Sequence, residues 1–173
     1  MEKKQEFKIE VVTLEKPMYI VGRSVRVTHG TPECFPSIDS LKTGFKADDI
    51  PAKIPNKKEP VIRFGICYDH HVPREGLIEF TYMVGVEVNE PINESLLPET
   101  THIFTIPTGV IVRIKVSAPN FDTAIGIAYV ELDQWRKNNP EWEGSDVGEI
   151  ELYVDESPSW VEFEKWDCIR KKQ

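Results

Sequence analysis

In "GEIELYV" (148–154) apolar and polar residues alternate with the two-residue period of a β-strand. Glu149, Glu151 and Tyr153 fall on one face, and Ile150, Leu152 and Val154 on the other. Strands are also predicted at "KPMYIVGRSVRV" (16–27), "IRFGICYD" (62–69), "EFTYMVGVEV" (79–88), "IPTGVIVRIKV" (106–116) and "FEKWDCIRK" (163–171). Between Phe121 and Trp135 the period changes. Apolar residues at 121, 124, 125, 128, 132 and 135 make one stripe of a helix, with Asn120 as N-cap and "KNNP" (137–140) as its stop. A shorter helix is expected around Ile38, Leu41 and Phe45, limited by Gly44 to about two turns. The proline-bearing stretch 46–60 then reads as a loop.

These elements repeat in order. Pro17 and Arg23 match Pro107 and Arg113, Tyr68 matches Tyr153, and Tyr82 matches Trp166. A single domain over 1–173 is expected, with internal repeats at about 7–88 and 102–172 joined by 89–101. Each repeat is a strand–helix–strand–strand unit. The fold class is therefore α+β: antiparallel sheet, helices on one face and a central cleft on the other. In that arrangement Ile150, Leu152 and Val154 pack under a helix, while Glu149, Glu151 and Tyr153 face the cleft.

Composition narrows the function. Hydrophobic residues at 40% and charged residues at 29% fit a soluble globular chain, and the net charge of −8 disfavours direct nucleic-acid binding. No apolar run is long enough for a membrane span, and "MEKKQEF" lacks the apolar core of a secretory signal. Cys34, Cys67 and Cys168 are too few and too scattered for a disulfide framework, so a cytoplasmic location is expected. His70 and His71 are adjacent and would point to opposite faces of a strand, and no second ligand cluster accompanies them. Neither a metal site nor a cofactor is expected.

The ordered set "MYIVGRSVRV", "IRFGICY", "IEFTYMVGVEV", "IPTGVIVRIKV", "LDQW", "EIELYVD" and "EFEKWDCIRK" resembles the effector-binding domain of the gyrase-inhibitor-like superfamily. Similar domains are attached to AraC- and MerR-type transcription regulators. The resemblance spans about residues 7–172. It implies a cleft for bulky, aromatic or cationic compounds, with a glutamate in a Glu-x-Tyr motif, here Glu151-Leu152-Tyr153. The tryptophan common in the family's first helix is missing, and Phe35 stands nearby instead. Cys168 occupies a position where many members have proline. With some six residues before the first strand, a helix-turn-helix unit is not expected.

Glu151 is the leading candidate for ligand binding, because a carboxylate in an aromatic-lined, water-poor cleft attracts cations strongly. Tyr153, Tyr82, Trp166, Tyr68 and Phe64 are the candidate aromatic walls, each weighed against an ordinary place in the core. Glu149 is expected to be mostly solvated. Trp135 completes the helical stripe and reads as core, and Trp142 and Trp160 are assigned to loops. The preferred function is stand-alone binding of a hydrophobic or cationic aromatic small molecule, for sensing or sequestration. The alternative is a hydrolase of electrophilic, cyclopropane-type compounds, with Glu151 as acid or base and Tyr153 as its partner. A third reading is a protein partner, such as a topoisomerase inhibited through the acidic surface.

Overall fold

The computed structural model describes residues 5–72, 76–157 and 159–173. Its strands are β1 (Glu6–Leu14), β2 (Met18–Thr28), β3 (Arg63–His71), β4 (Glu79–Val88), β5 (His102–Ile106), β6 (Gly109–Ala118), β7 (Trp142–Ser157) and β8 (Trp160–Lys171). The helices are α1 (Cys34–Ala47), α2 (Ile50–Lys53) and α3 (Phe121–Asn138).

The helix that the apolar stripe predicted is α3. The Asn120 side chain accepts the Thr123 N–H at 2.9 Å, and Arg136 and Lys137 lie in the last turn, at the negative end of the helix dipole. Ala124, Ala128 and Leu132 are buried, with Phe121, Ile125 and Trp135 packed at the margins of the same core. Helix α1 is longer than expected, because it runs through Gly44. A glycine there costs about 1 kcal/mol of helix propensity, and the burial of Cys34, Ile38 and Phe45 on one face outweighs it. The expected loop at 46–60 contains α2. Trp142 and Trp160, assigned to loops, instead begin β7 and β8.

The chain forms two compact units. The first comprises Met1–Glu15 and Thr108–Gln173, with antiparallel strands in the order β1–β6–β8–β7 and α3 over one face. The second comprises Lys16–Pro107, with strands in the order β3–β4–β2–β5 and α1 over one face. Each contains strand–helix–strand–strand, β6-α3-β7-β8 in one and β2-α1-β3-β4 in the other, so the class is α+β. Two strands escaped the repeat pattern. β1 precedes β2 in the chain but pairs with β6, and β5 precedes β6 but pairs with β2.

The register corrects the repeat matches. In the second unit Val21, Val27, Phe80, Tyr82, Val84 and Val86 face the helix. In the first, the helix-facing residues of β6 are Val112, Ile114 and Val116, which leaves Arg113 on the opposite face. Arg23 with Arg113, Tyr68 with Tyr153 and Tyr82 with Trp166 each pair a helix-facing position with one facing away. Matching by residue type slipped each strand by one position, and with a period of two that exchanges its faces.

One close approach fixes the β2–β4 pairing. Gly22 lies opposite Gly85, and a Cβ on Gly22 would stand 1.9 Å from the Val84 carbonyl oxygen.

Candidate functional site

In the first unit, β7 and β8 place Glu149 opposite Asp167, Glu151 opposite Lys165 and Tyr153 opposite Phe163. Opposed residues of antiparallel strands share a face, and this is the face that α3 covers. The sequence had placed Glu149, Glu151 and Tyr153 on the side away from the helices, so this is a reversal. Tyr153 belongs to the core beneath α3, while Ile150 and Leu152 are buried on the opposite face. The small side chains Ala124 and Ala128 let the helix approach, and its longer side chains Tyr129 and Arg136 reach the polar positions of the sheet.

Glu151 is only 7% exposed. The Tyr153 hydroxyl donates to its Oε2 at 2.9 Å, and the Tyr129 hydroxyl lies 3.4 Å from Oε1. The Tyr153 ring is wedged edge-on against Phe121 and Phe163, with centroids at 5.0 and 5.5 Å, which holds its hydroxyl in place. Tyr129 is 41% exposed and forms the outer side of the group.

Beside Glu151 runs a closed circuit of alternating charge. Arg136 pairs with Asp167, Asp167 with Lys165, Lys165 with Glu149 at 3.5 Å, and Glu149 with Arg136 at 3.7 Å. Lys165 is 1% exposed, and its ammonium also lies 4.6 Å from the centre of the Tyr129 ring. Two cations and two anions balance, which is the condition under which buried charges are tolerated. Glu149, expected to be mostly solvated, is a half-buried member of this circuit.

The remaining candidates are dispersed. Trp166 is buried on the face of β8 opposite Lys165 and Asp167, where its indole N–H donates to Glu164 Oε2 at 2.9 Å. It is therefore not a wall beside Glu151. In the second unit Tyr82 is buried beneath α1, with the Lys42 ammonium 5.1 Å from its ring centre. Phe64 and Tyr68 lie on the other face of that sheet. Tyr68 packs on Phe104 at 4.6 Å and shares a hydrogen bond with His102 Nε2 at 3.3 Å. Burial holds the His102 imidazole below its ordinary pKa, against a smaller opposing pull from Glu94. Burial, with Asp167 next to it, pushes the Cys168 thiol up to about 11. Among the described residues no cluster of metal-binding side chains occurs, and no helix is long and apolar enough to cross a membrane.

Tyr129, Arg136, Lys165 and Asp167 were missed by sequence reasoning. A signal was present. Alternation in "FEKWDCI" sets Phe163, Lys165, Asp167 and Ile169 together, and their face follows from Phe163 as the core residue. The parity of Trp166 sets it on the other face.

No family model and no curated protein matches the sequence. Solved structures do. SAV2435 bound to tetraphenylphosphonium is similar at 14% identity over 94% of each chain, with a TM-score of 0.69. An integron cassette protein from the mobile metagenome of Vibrio cholerae is similar at 15% identity over 97% of this chain and 100% of its own, TM-score 0.62. The EcmrR C-terminal domain matches at 15% identity over 97% of this chain and 99% of its own, also with a TM-score of 0.62. The chain shares the fold of these three structures.

Proposed function

We propose that the protein binds a hydrophobic, aromatic cation, with the Glu151 carboxylate as the counter-charge. The observation that carries this reading is a nearly buried carboxylate clasped by two phenols, one of them exposed at the surface. A carboxylate in such surroundings gains far more from an arriving cation than one in water, because the local dielectric is low. The exposed ring of Tyr129 is the point of entry. A ligand cation replaces its long contact to Oε1 and lies against its face, which adds about 0.5–2 kcal/mol of cation–π attraction. Solution of a protein of this fold with tetraphenylphosphonium supports the choice of a lipophilic cation as the probe.

The test is a calorimetric titration with tetraphenylphosphonium on the natural protein and on Glu151→Gln. Saturable binding that weakens at least tenfold, about 1.4 kcal/mol, in the variant supports the reading. Equal affinity in both proteins, or no binding to either, refutes it.

A further inference from the structure

We propose that the protein pairs with a second copy of itself, β1 against β1, through the outer edge of the first unit's sheet. Strand β1 ends the order β1–β6–β8–β7, and among the described residues no strand pairs with its outer edge. Its inner edge is fully used, from Glu6 opposite Ser117 to Leu14 opposite Gly109, without a bulge. No proline interrupts it. A long, regular edge presents a row of backbone N–H and C=O groups that another strand can take up. Phe7, Ile9 and Val11 lie opposite Val116, Ile114 and Val112, so they extend the apolar layer beneath α3 to the rim of the sheet. Phe7 and Val11 are each 49% exposed there.

Charge selects a second copy as the occupant and fixes its register. A two-fold axis through Ile9 sets Ile9 opposite the partner's Ile9, Phe7 opposite the partner's Val11 and Lys8 opposite the partner's Glu10. Opposed residues share a face, so Phe7, Ile9 and Val11 of both copies form one apolar stripe, with an aromatic residue against a β-branched one at each end. On the other face each Lys8 meets a glutamate across the seam. Within one copy Lys8 pairs with Glu10 at 2.5 Å, and Glu10 with Arg113 at 3.0 Å. The seam adds to these pairs and requires no charge to be without a partner. Moving the axis to Lys8 or to Glu10 would set like charges face to face, which is unfavourable. A lysine on an edge ordinarily deters an incoming strand. Here Glu10, two positions on, makes Lys8 half of a self-complementary pattern, and such an isologous contact closes at two copies.

The contact uses no residue of the Glu151 group. The test is sedimentation equilibrium at low salt, over a range of concentrations, on the natural protein, on Lys8→Glu, on Glu10→Lys and on an equimolar mixture of the two variants. A thermal melt of each variant verifies folding. Either substitution alone opposes like charges at both ends of the seam, whereas in the mixture each copy brings the charge that the other lacks. The expected result is a monomer–dimer equilibrium in the natural protein, weakened by about tenfold or more in either folded variant and recovered in the mixture. Amide hydrogen exchange in β1 should slow as the concentration of the natural protein rises. A natural protein that stays monomeric, folded variants that associate as tightly as it does, or a mixture that fails to recombine would overturn the seam.

Discussion

Tyr153 and Glu151 lie two residues apart on the same face of β7, and the phenol donates to the carboxylate at 2.9 Å in a setting from which water is nearly excluded. Hydrogen bonds to charged groups contribute about 1.5–3 kcal/mol. Tyr153→Phe keeps the ring packing against Phe121 and Phe163 and removes only the hydroxyl, so a loss of that size is expected in urea unfolding. Tyr129→Phe, whose contact is longer and partly exposed, should cost less than about 1 kcal/mol by the same measure.

The charge circuit predicts an asymmetry between its members. Asp167→Asn leaves the buried Lys165 ammonium with Glu149 as its remaining partner in the circuit, at 3.5 Å. Breaking a buried pair in this way costs about 3–5 kcal/mol. Arg136 reaches the circuit from a half-exposed position, so Arg136→Gln should cost about 1 kcal/mol or less. Chemical denaturation of both variants orders them.

Gly22 and Gly85 should not tolerate side chains. A Cβ on Gly85 would meet the Val21 carbonyl oxygen at 2.7 Å and Ile20 Cγ2 at 2.8 Å, so two backbones must part to admit it. Gly85→Ala is expected to destabilise by about 1–3 kcal/mol. Gly22→Ala, closer still and against backbone alone, should lower the thermal midpoint further.

Two groups give pH-dependent readouts. His102 has a folded pKa below its ordinary 6.5 because burial disfavours the imidazolium. The unfolded chain therefore binds more protons, and stability falls as pH drops from about 6.5 towards the folded value. The slope in that window should be shallower for His102→Gln than for the natural protein. The Cys168 thiol, at about 11, and the Cys34 thiol, also raised by burial, are protonated at pH 8. Both should resist iodoacetamide in the native state and react after unfolding, as read by peptide mass spectrometry.

Much of the fold was legible in the sequence. The stripe from Phe121 to Trp135 and the cap at Asn120 specify α3 through spacing and local hydrogen bonding alone. The alternating runs specify strands and the α+β class. The faces were harder to read, because "GEIELYV" has aliphatic residues on one side and two acids with a phenol on the other. Burying the aliphatic side under a helix was the simpler choice, yet both sides are buried. The acids are tolerated beneath α3 because Arg136, Lys165, Tyr129 and Tyr153 satisfy them, and three of these four come from other elements. Alternation sets Lys165 and Asp167 on the face of Phe163, but which acids they meet depends on long-range pairing that no local pattern carries. The strands β1 and β5 were missed for a related reason, since neither pairs with its neighbour in the chain.

The most direct measurement compares tetraphenylphosphonium with tetraphenylborate, which have nearly the same shape and opposite charge, on the natural protein and on Glu151→Gln. A binding role for the Glu151 carboxylate predicts that the natural protein prefers the cation by at least tenfold, and that the variant loses this preference. Equal binding of both ions by the natural protein, or a cation preference that survives in Glu151→Gln, would contradict it.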